Sequence, residues 1–292
     1  MMKLLLLPLV IGCGIASELH IQDAQGLIAF MKDIETEKKY ENGTVFLDND
    51  IEFNWELSQQ FKPIGERYAN NFMGTFDGQG HSINNLTIDP SVNYGGLFGY
   101  SLGLTIRNVV IGKSCTIYET NAYSENNYFL GSIIGFCEGR RGDCIIENCV
   151  NMMDITFDGD VDHTPGQFIN MYIGGIAGGI YSYDYTTLVK DCVNYGAISR
   201  TFERQNEGLY MGGIVGGDNV ISGKIGTIQG CANNGTVTFN GEPFYSYYNI
   251  GEIAGRDDLY KISKCTYIGV PSGASTKHIW GLIGVLLLIL MM

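Results

Sequence analysis

A glycine-rich tetrapeptide occurs five times in this chain, and no other feature limits its possible folds as strongly. Each copy ends in glycine and directly follows another glycine, and the distances between those preceding glycines are 36, 43, 38 and 39 residues. A nearly constant period of this length predicts a stack of repeats rather than a globular domain. The copies lie at Gly96–Gly99, Ser132–Gly135, Gly175–Gly178, Gly213–Gly216 and Glu252–Gly255.

A second block follows each tetrapeptide at a variable distance, which indicates a loop of changing length between the two. These blocks are Ile106–Val109, Ile146–Cys149, Val189–Cys192, Ile228–Cys231 and Ile262–Cys265. Asparagine follows two positions later at Asn151, Asn194 and Asn233. Short β-branched runs separated by glycine and asparagine are typical of strands and turns.

Stacking such units in register would place equivalent residues about 4.8 Å apart in columns. We expect one buried column of Leu97, Ile133, Ile176, Ile214 and Ile253. We expect a second of Val109, Cys149, Cys192, Cys231 and Cys265, and a short asparagine column at a bend, bonded along the axis. The predicted architecture is all-β, a right-handed parallel β-helix over residues 45–270. One or two rungs per repeat remain possible.

The segment before the repeats predicts a cap of residues 18–44. A pattern of apolar residues from His20 to Glu37 indicates a short amphipathic helix, with Ile21, Leu27, Ile28, Met31 and Ile34 on one face. Such a helix can cover the open end of a β-helix. The strands would then begin at Val45.

Both ends of the chain resemble targeting signals. Residues 1–17 have a basic start, an apolar run and small residues before a cleavage point, as in a secretory signal peptide. Residues 271–292 place Ser272 and Gly273 before a short spacer and an apolar tail, which favours a GPI-attachment signal. A plain membrane anchor and a bacterial lipoprotein, for which Val10–Cys13 would be the cleavage box, are the alternatives.

A secreted route makes glycosylation and disulfide bonds possible. Sequons occur at Asn42, Asn85 and Asn234. Cys137 and Cys144 flank a short loop and form the preferred disulfide candidate, whereas the column cysteines are expected to be small buried side chains. The net charge of −13 and the lack of a basic cluster argue against a nucleic-acid partner.

Part of the sequence resembles a known family. The run Phe76-Asp-Gly-Gln-Gly-His81 leads through Asn84-Asn-Leu86 into Gly95-Gly-Leu-Phe-Gly99. It is similar to surface proteins that carry the GLUG motif, whose fold is a pectin-lyase-like right-handed β-helix. The resemblance covers roughly residues 20–268 and implies a cell-surface, often adhesin-like protein. The metallopeptidase domain of some members has no counterpart here.

We expect no catalytic, cofactor or metal site. The early acids Asp48, Asp50 and Asp77, with His81 nearby, fit turn chemistry better than catalysis. The run Asp154–His163 lacks the closing glutamate of a Ca²⁺ loop and is expected to be an exposed acidic loop. Arg141-Gly-Asp143, inside the Cys137–Cys144 loop, could engage an integrin-type receptor, although a tripeptide arises often by chance.

Tyrosine clusters between the repeat blocks are the candidate binding residues. They are Tyr181, Tyr183, Tyr185, Tyr245, Tyr247 and Tyr248. Loop tyrosines with polar neighbours suit contacts with glycans or proteins, although they could instead shield the edges of rungs. The sequence thus predicts a membrane-anchored extracellular protein with a binding or coat role, and a carbohydrate-active β-helix enzyme is the alternative.

Overall fold

The computed structural model describes residues 17–37, 40, 42–65, 70–88, 93–117, 122–123, 127–157, 161–162, 169–200, 207–218, 224–240 and 248–267. Strands dominate these ranges, and every strand pairs with its neighbours in parallel. The signal segment 1–16 and the tail from residue 268, with Ser272 and Gly273, lie outside the described residues.

Two long sheets run through the described part of the chain; strands are numbered in chain order. The first sheet contains β1 (Glu18–Ile21), β2 (Thr44–Leu47), β4 (Thr75–Asp77), β9 (Leu104–Arg107), β15 (Cys144–Glu147), β21 (Thr187–Lys190), β26 (Gly226–Gln229) and β30 (Tyr260–Ser263). The asparagine sheet contains β3 (Ile51–Glu52), β5 (Ser82–Asn84), β10 (Val110–Ile111), β16 (Val150–Asn151), β22 (Val193–Asn194), β27 (Ala232–Asn233) and β31 (Thr266–Tyr267).

Two further sheets meet at the glycine tetrapeptides. The aromatic sheet, before them, contains β7 (Tyr94–Gly95), β13 (Tyr128–Gly131), β19 (Ile169–Gly174), β24 (Glu207–Gly212) and β29 (Tyr248–Gly251). The glycine sheet, whose strands begin at the third residue of a tetrapeptide, contains β8 (Phe98–Ser101), β14 (Ile134–Gly139), β20 (Ala177–Ser182) and β25 (Val215–Gly217).

Three smaller sheets complete the described strands. They are β17 (Ile155–Phe157) with β23 (Ile198–Arg200) and β28 (Val237–Phe239), β6 (Thr87–Ile88) with β11 (Thr116–Ile117), and β12 (Ala122–Tyr123) with β18 (Val161–Asp162). The helices are α1 (Ala24–Glu37), α2 (Trp55–Ser58) and a 3₁₀ turn at Asp257–Leu259.

The sheet order resolves how many rungs each repeat makes. In the repeat that starts at β19, the chain visits the aromatic, glycine, first and asparagine sheets in turn, and then β23, before β24 returns to the aromatic sheet beside β19. Each of the three repeats that start at β13, β19 and β24 therefore adds one strand to each of these sheets, so the chain makes one circuit of the sheets per repeat. This arrangement of parallel strands is consistent with a β-helix or solenoid.

Strand register supports the repeat alignment, with one offset. Gly131, Gly174, Gly212 and Gly251 lie opposite one another in the aromatic sheet, as the alignment predicts. Gly95, however, lies opposite Leu130 rather than Gly131. The register is restored across the tetrapeptide, because Phe98 pairs with Ile134. The offset is confined to the step between the first two copies.

The predicted interior columns are buried. The Leu/Ile column is at most 8% exposed, and Val109, Cys149, Cys192 and Cys231 are at most 1% exposed. Cys265, in the last described rung, is only partly buried. One contiguous apolar cluster joins residues from all of the larger sheets and from α1.

The asparagine column bonds along the axis and stands at a bend, as predicted, because each Asn Oδ1 accepts a hydrogen bond from the backbone amide two residues later, for example from Gly196 N at 3.2 Å. Asn151, Asn194 and Asn233 are inward-facing strand residues, and each is fully buried. A second, left-handed bend lies before the Val/Cys column, at Asn108, Asn148, Asp191, Gly230 and Lys264, where φ is between +51° and +66°. Asparagine is favoured there because it tolerates this conformation.

The helix begins at Ala24, four residues later than the sequence pattern predicts. His20 and Ile21 belong to β1, which pairs with β2, so the sheet starts before Val45. The strand β1 ends at Ile21, and the Asp23 side chain accepts a hydrogen bond from Gly26 N at 2.8 Å, which caps the helix. Leu27, Ile28, Met31 and Ile34 form the buried face as expected.

Candidate binding site at the tyrosine loop

A disulfide-closed loop leads from the glycine sheet to the first sheet. The structure joins Cys137 and Cys144 by a disulfide, the pairing that the sequence favours. We name residues 138–143, which include the last two residues of β14, the disulfide loop. Its backbone is held from the preceding rung, because the amides of Arg140 and Arg141 both donate to Leu102 O, at 3.2 and 2.8 Å. The disulfide and the two hydrogen bonds to Leu102 O therefore fix the conformation of this loop.

The loop of the next rung docks on the disulfide loop through its backbone. We name residues 183–186 the tyrosine loop. The amides of Tyr183, Asp184 and Tyr185 all donate to Gly139 O, at 3.2, 3.0 and 2.9 Å. The amide of Thr186 donates to Asp143 Oδ1 at 3.0 Å. All four backbone amides of the tyrosine loop thus donate hydrogen bonds to the disulfide loop. The disulfide loop therefore positions the tyrosine loop.

A buried carboxylate orients the side chains between the two loops. Glu138 is 6% exposed and accepts hydrogen bonds from Tyr100 Oη at 2.7 Å and from Arg140 Nε at 2.6 Å. The Arg140 guanidinium lies 4.5 Å from the ring centroid of Tyr183. Burial, together with the charge of Glu138, raises the pKa of neighbouring Tyr94. The ion pair thus holds a cation against the Tyr183 ring.

The predicted binding tyrosines have different environments. Tyr183 and Tyr185 are 47% and 45% exposed on the tyrosine loop. Tyr181 lies at the end of β20 rather than in a loop, and it is only 6% exposed, because register places it opposite Glu138 inside the glycine sheet. Tyr245 and Tyr247 lie outside the described residues, and Tyr248 begins β29.

A cavity of about 210 Å³ adjoins the tyrosine loop. Its lining includes Tyr181, Ser182, Asp218, Ile225, Asp258 and Tyr260. Lys224 links it to the tyrosine loop, because its amide donates to Ser182 O at 2.9 Å and its Nζ donates to Asp184 O at 2.6 Å. Asp218 is 3% exposed, whereas Ile225 at the rim is 68% exposed.

Sequence reasoning missed Glu138, Gly139 and Arg140, as well as every residue lining the cavity except Tyr181. None of them belongs to a motif, because their roles depend on contacts between rungs. The repeat alignment held the available signal: it pairs Glu138 with Tyr181 and Gly139 with Ser182. Nothing in the sequence shows that three amides converge on Gly139 O.

The early acidic residues take part in turn structure. Asp48 Oδ1 lies 2.8 Å from His20 Nδ1, and Asp50 accepts a hydrogen bond from Ser82 N at 2.8 Å. The hydrogen bond with His20 is the main cause of the lowered pKa of Asp48, and the Ser82 amide that of Asp50. Asp77 accepts from Arg107 Nε at 2.8 Å and Asn108 Nδ2 at 2.9 Å. These contacts match the turn roles that the sequence favours.

The second acidic run is only partly described. Asp154 Oδ1 accepts a hydrogen bond from Ala197 N at 2.8 Å, which ties it to the next rung. Asp162 lies in β18, and Asp158, Asp160 and His163 lie outside the described residues. Within the described ranges, no group of three or more His, Cys, Asp or Glu residues is arranged to hold a metal ion.

The modification and receptor candidates are at the surface. Asn42 and Asn85 are exposed at positive φ, and Asn234 is partly buried. The Asn85 side chain donates to Glu52 Oε2 at 2.9 Å. Arg141 and Asp143 are exposed, but one Asp143 oxygen is engaged by Thr186. No helix in the described ranges is both long and apolar enough to cross a membrane.

Comparisons with known proteins bear on the fold alone. No family model matches the chain, and no curated protein matches it. Among solved structures, the chain is similar to a protein of Bacteroides ovatus described as a "putative immunoglobulin A1 protease". The two share 18% identity and a TM-score of 0.55, over 90% of this chain and 78% of the other. At this identity the likeness concerns the path of the backbone and not the activity.

Proposed function

We propose that this chain is a non-enzymatic surface protein that binds glycans or cell-surface proteins through the tyrosine loop. It would be a right-handed parallel β-helix of the GLUG-motif kind, displayed outside the cell by a C-terminal anchor and without nucleic-acid partners. The observation that carries this proposal is the pair of exposed rings, Tyr183 and Tyr185, on a backbone fixed by the disulfide loop.

Pre-organisation is what makes these two tyrosines suitable for binding. Ordering a mobile side chain at an interface costs about 0.5–1.5 kcal/mol, and ordering a loop adds to that cost. Here the loop amides are already bonded to Gly139 and Asp143, and Arg140 already lies against Tyr183. Tyrosine and arginine are also the residue types that carry most binding energy at protein interfaces.

The proposal is tested with the full-length protein and the double variant Tyr183→Ala/Tyr185→Ala. We expect at least tenfold weaker attachment to cells or to immobilised surface glycans. The matched control is Tyr195→Ala, because Tyr195 is 53% exposed but lies beyond the asparagine sheet. Equal binding by the double variant, the control and the natural protein would exclude the tyrosine loop.

The anchor and the modifications have their own tests. Release of the protein from cells by a phosphatidylinositol-specific phospholipase would support attachment through Ser272 or Gly273. Retention with an intact C-terminus by mass spectrometry would contradict it. Glycopeptide analysis would show whether Asn42, Asn85 and Asn234 carry glycans.

A hydrolytic function is the second candidate, and the observation that favours it is the similarity to the Bacteroides ovatus protein described as a "putative immunoglobulin A1 protease". Incubation of the full-length protein with immunoglobulin A1 and with polysaccharides tests it directly. New peptide termini would establish a protease, and new reducing or unsaturated ends would establish a carbohydrate-active enzyme. Either result would replace the binding proposal as the main function.

A further inference from the structure

The first sheet presents one long face to the outside of the stack. Side chains alternate along its eight strands between the interior and this face, as buried Ile146 and partly exposed Ile145 do in β15. With about 4.8 Å between strands and about 3.3 Å per residue, the face measures roughly 34 Å by 13 Å. We name it the outer face.

Strand register places the outward side chains of this face in two columns. The first column holds, in stack order, Glu18, Thr44, Thr75, Thr105, Ile145, Leu188, Thr227 and Lys261. The second column holds His20, Phe46, Asp77, Arg107, Glu147, Lys190, Gln229 and Ser263. All of them except Asp77 are at least partly exposed, so the outer face is accessible along its length.

The charges in the second column alternate in sign. On four successive strands it holds Asp77, Arg107, Glu147 and Lys190, two on each side of the middle of the sheet. Turning such a column end for end replaces each sign by its opposite. The column therefore complements a reversed copy of itself.

The outer face is neutral, although the chain as a whole is not. Its charged groups are the carboxylates of Glu18, Asp77 and Glu147 and the cations of Arg107, Lys190 and Lys261. Three charges of each sign cancel, whereas the whole chain carries −13. Two copies of the chain repel each other through their net charge, but this face does not add to that repulsion.

The middle of the first column is uncharged. It consists of Thr75, Thr105, Ile145 and Leu188 on four successive strands. Ile145 and Leu188 are partly exposed and offer apolar surface that an interface would bury. The projected area of the outer face is about 450 Å² per copy, below the roughly 800 Å² per partner of a standard stable complex. A partner of this face would thus be held weakly.

From these observations we infer that the outer face binds the outer face of a second copy of this chain, with the two stacks antiparallel. A two-fold axis parallel to the strands, midway between β9 and β15, relates the copies and gives an isologous contact. Arg107 then lies opposite Glu147 of the second copy, and Ile145 opposite Thr105 of the second copy. Since four strands lie on each side of the axis, the two faces overlap over their full length.

The charges fix the register of this pairing more than its strength. Within one chain Arg107 already bonds to Asp77 at 2.8 Å, and Lys190 lies 3.4 Å from Asp191. Complementary charges across an interface mainly select the orientation and suppress wrong ones. The affinity comes from burial of Ile145 and Leu188, which makes the pairing dependent on concentration.

The antiparallel arrangement places the C-terminal ends of the two stacks at opposite ends of the pair. Together with the proposed C-terminal anchor, it would attach the two copies to two different surfaces, so the pair would join neighbouring cells. This consequence, unlike the pairing itself, rests on the proposed function. It gives the adhesin-like protein a partner, which is a second copy of itself.

A disulfide cross-link tests the register. Thr75 and Leu188 lie three strands apart in one chain, about 14 Å, which is too far for a disulfide. In the inferred pair, Thr75 lies opposite Leu188 of the second copy. We expect full-length Thr75→Cys/Leu188→Cys, oxidised with a disulfide reagent such as oxidised glutathione, to give a covalent dimer on a non-reducing gel.

The two single variants are the controls for this cross-link, because each added thiol would lie about 14 Å from its equivalent in the pair. A covalent dimer of the double variant alone supports the antiparallel register. Equal yields from the single and double variants, or no covalent dimer at all, would overturn it.

A charge at the centre of the outer face tests the pairing itself. We expect Ile145→Glu to weaken dimerisation of the full-length protein by about tenfold or more, because an unpaired charge would be buried there. Sedimentation over about two orders of magnitude in concentration measures this. Met152→Glu, at a residue that is 41% exposed on the asparagine sheet side, is the matched control, and thermal unfolding establishes that each variant is folded.

Association through the apolar tail 279–292 would survive Ile145→Glu. Equal association by the natural protein and Ile145→Glu, or a natural protein that stays monomeric throughout, would therefore overturn the inference.

Beads that carry the protein through its C-terminus test the bridging of two surfaces. We expect beads with the natural protein or Met152→Glu to cluster and beads with Ile145→Glu to stay dispersed. Pairing in solution without clustering of beads would overturn the bridging. Neither measurement uses a ligand of the tyrosine loop. A monomeric protein that binds cells through Tyr183 and Tyr185 would overturn this inference alone, and a protein that pairs but binds cells equally well without those rings would overturn only the tyrosine-loop proposal.

Discussion

One buried column of the asparagine sheet changes its chemistry half-way along the stack. In the earlier rungs it consists of Ile51, Ile83 and Ile111, and in the later rungs of Asn151, Asn194 and Asn233. All six side chains are fully buried. The same place in the rung is thus filled by apolar contact in one region and by hydrogen-bonded amides in the other.

The asparagine half of this column is stable only if its side-chain amides are hydrogen-bonded to one another. Asn151 Nδ2 donates to Asn194 Oδ1 at 2.7 Å, and Asn194 Nδ2 donates to Asn233 Oδ1 at 2.8 Å. Each amide also bonds to the backbone two residues ahead of it, for example Asn194 Nδ2 to Gly196 O at 2.9 Å. A buried polar network of this kind depends on every member, whereas each isoleucine contributes its own burial.

The hydrogen-bonded asparagine series, which we call the ladder, also contacts the first position of the tetrapeptide. A Cβ at Gly213 would lie 2.2 Å from Asn233 Cγ, so glycine makes room for the amide there. In the last copy, Glu252 occupies the corresponding place, and its Oε2 lies 3.4 Å from Asn233 Nδ2. Ser132, in the second copy, donates to Gly175 O at 2.6 Å. Glu252 and Ser132, which stand where the other copies have glycine, therefore have structural roles.

The largest effect is expected from Asn194→Leu, which breaks the ladder in its middle. It leaves Asn151, Asn233 and Gly196 without their partner, and each unsatisfied buried group costs about 1–3 kcal/mol. We expect the free energy of unfolding to fall by about 3–5 kcal/mol in total. Denaturant unfolding followed by circular dichroism measures this loss.

The control for this change is Ile111→Leu, which introduces the same residue into the apolar half of the same column. A volume-conserving change of this kind costs less than about 1.5 kcal/mol. Similar losses for the two variants would mean that the two halves do not differ as we describe.

A smaller effect is expected from Asp77→Asn in the early rungs, and it should depend on pH. Burial alone would raise the pKa of Asp77, but hydrogen bonds from Asn108, Gln79 and Arg107 outweigh it and lower the pKa below 3.8. Because the folded-state pKa is depressed, this stabilisation is present above about pH 4 and is lost as the pH falls through the folded-state value. Charge-assisted hydrogen bonds contribute about 1.5–3 kcal/mol.

We therefore expect Asp77→Asn to lower the melting temperature at pH 7 and to lose less stability than the natural protein between pH 4 and pH 2. Thermal unfolding across this range checks both points. Parallel pH profiles for the two proteins would show that Asp77 does not contribute as an ionised group.

The smallest effect is expected from Glu252→Gln at the end of the ladder. Burial raises the pKa of Glu252, and the hydrogen bond from Asn233 only partly offsets this. The folded state therefore favours the protonated form, so stability is greatest below the usual pKa of 4.5 and declines as the pH rises through the folded-state value. Since the side chain is partly exposed, we expect a gain of only a few tenths of a kcal/mol at pH 7.

Acid should thus act in opposite directions on the two regions, weakening the contacts of Asp77 and favouring the protonated form of Glu252. Melting temperatures of Glu252→Gln between pH 4 and pH 7 measure the smaller effect. A marked loss of stability at pH 7 would show that the Glu252 carboxylate, rather than an uncharged acceptor, is needed to end the ladder.

The sequence could predict the features that repeat. Stacked side chains recur once per rung, so the columns headed by Leu97 and Val109, and the axial bonding of the asparagines, follow from spacing alone. The start of α1 was harder to predict from the sequence, because pairing between β1 and β2 decides where the strand ends and where Asp23 can cap the helix. The second bend, before the Val/Cys column, was not predicted for a similar reason: only the strand path shows which residue has positive φ.

For the candidate site, the sequence by itself determined which residue types were available: the paired cysteines and the exposed tyrosines Tyr183 and Tyr185. Only the tertiary structure decided that the tyrosine loop docks on Gly139, that Arg140 lies against Tyr183, and that a cavity opens beside Tyr181. The physical reason is that contacts within a column recur once per repeat, so the period of the sequence predicts them. The site is built from loops of different length in successive rungs, and their contacts have no period.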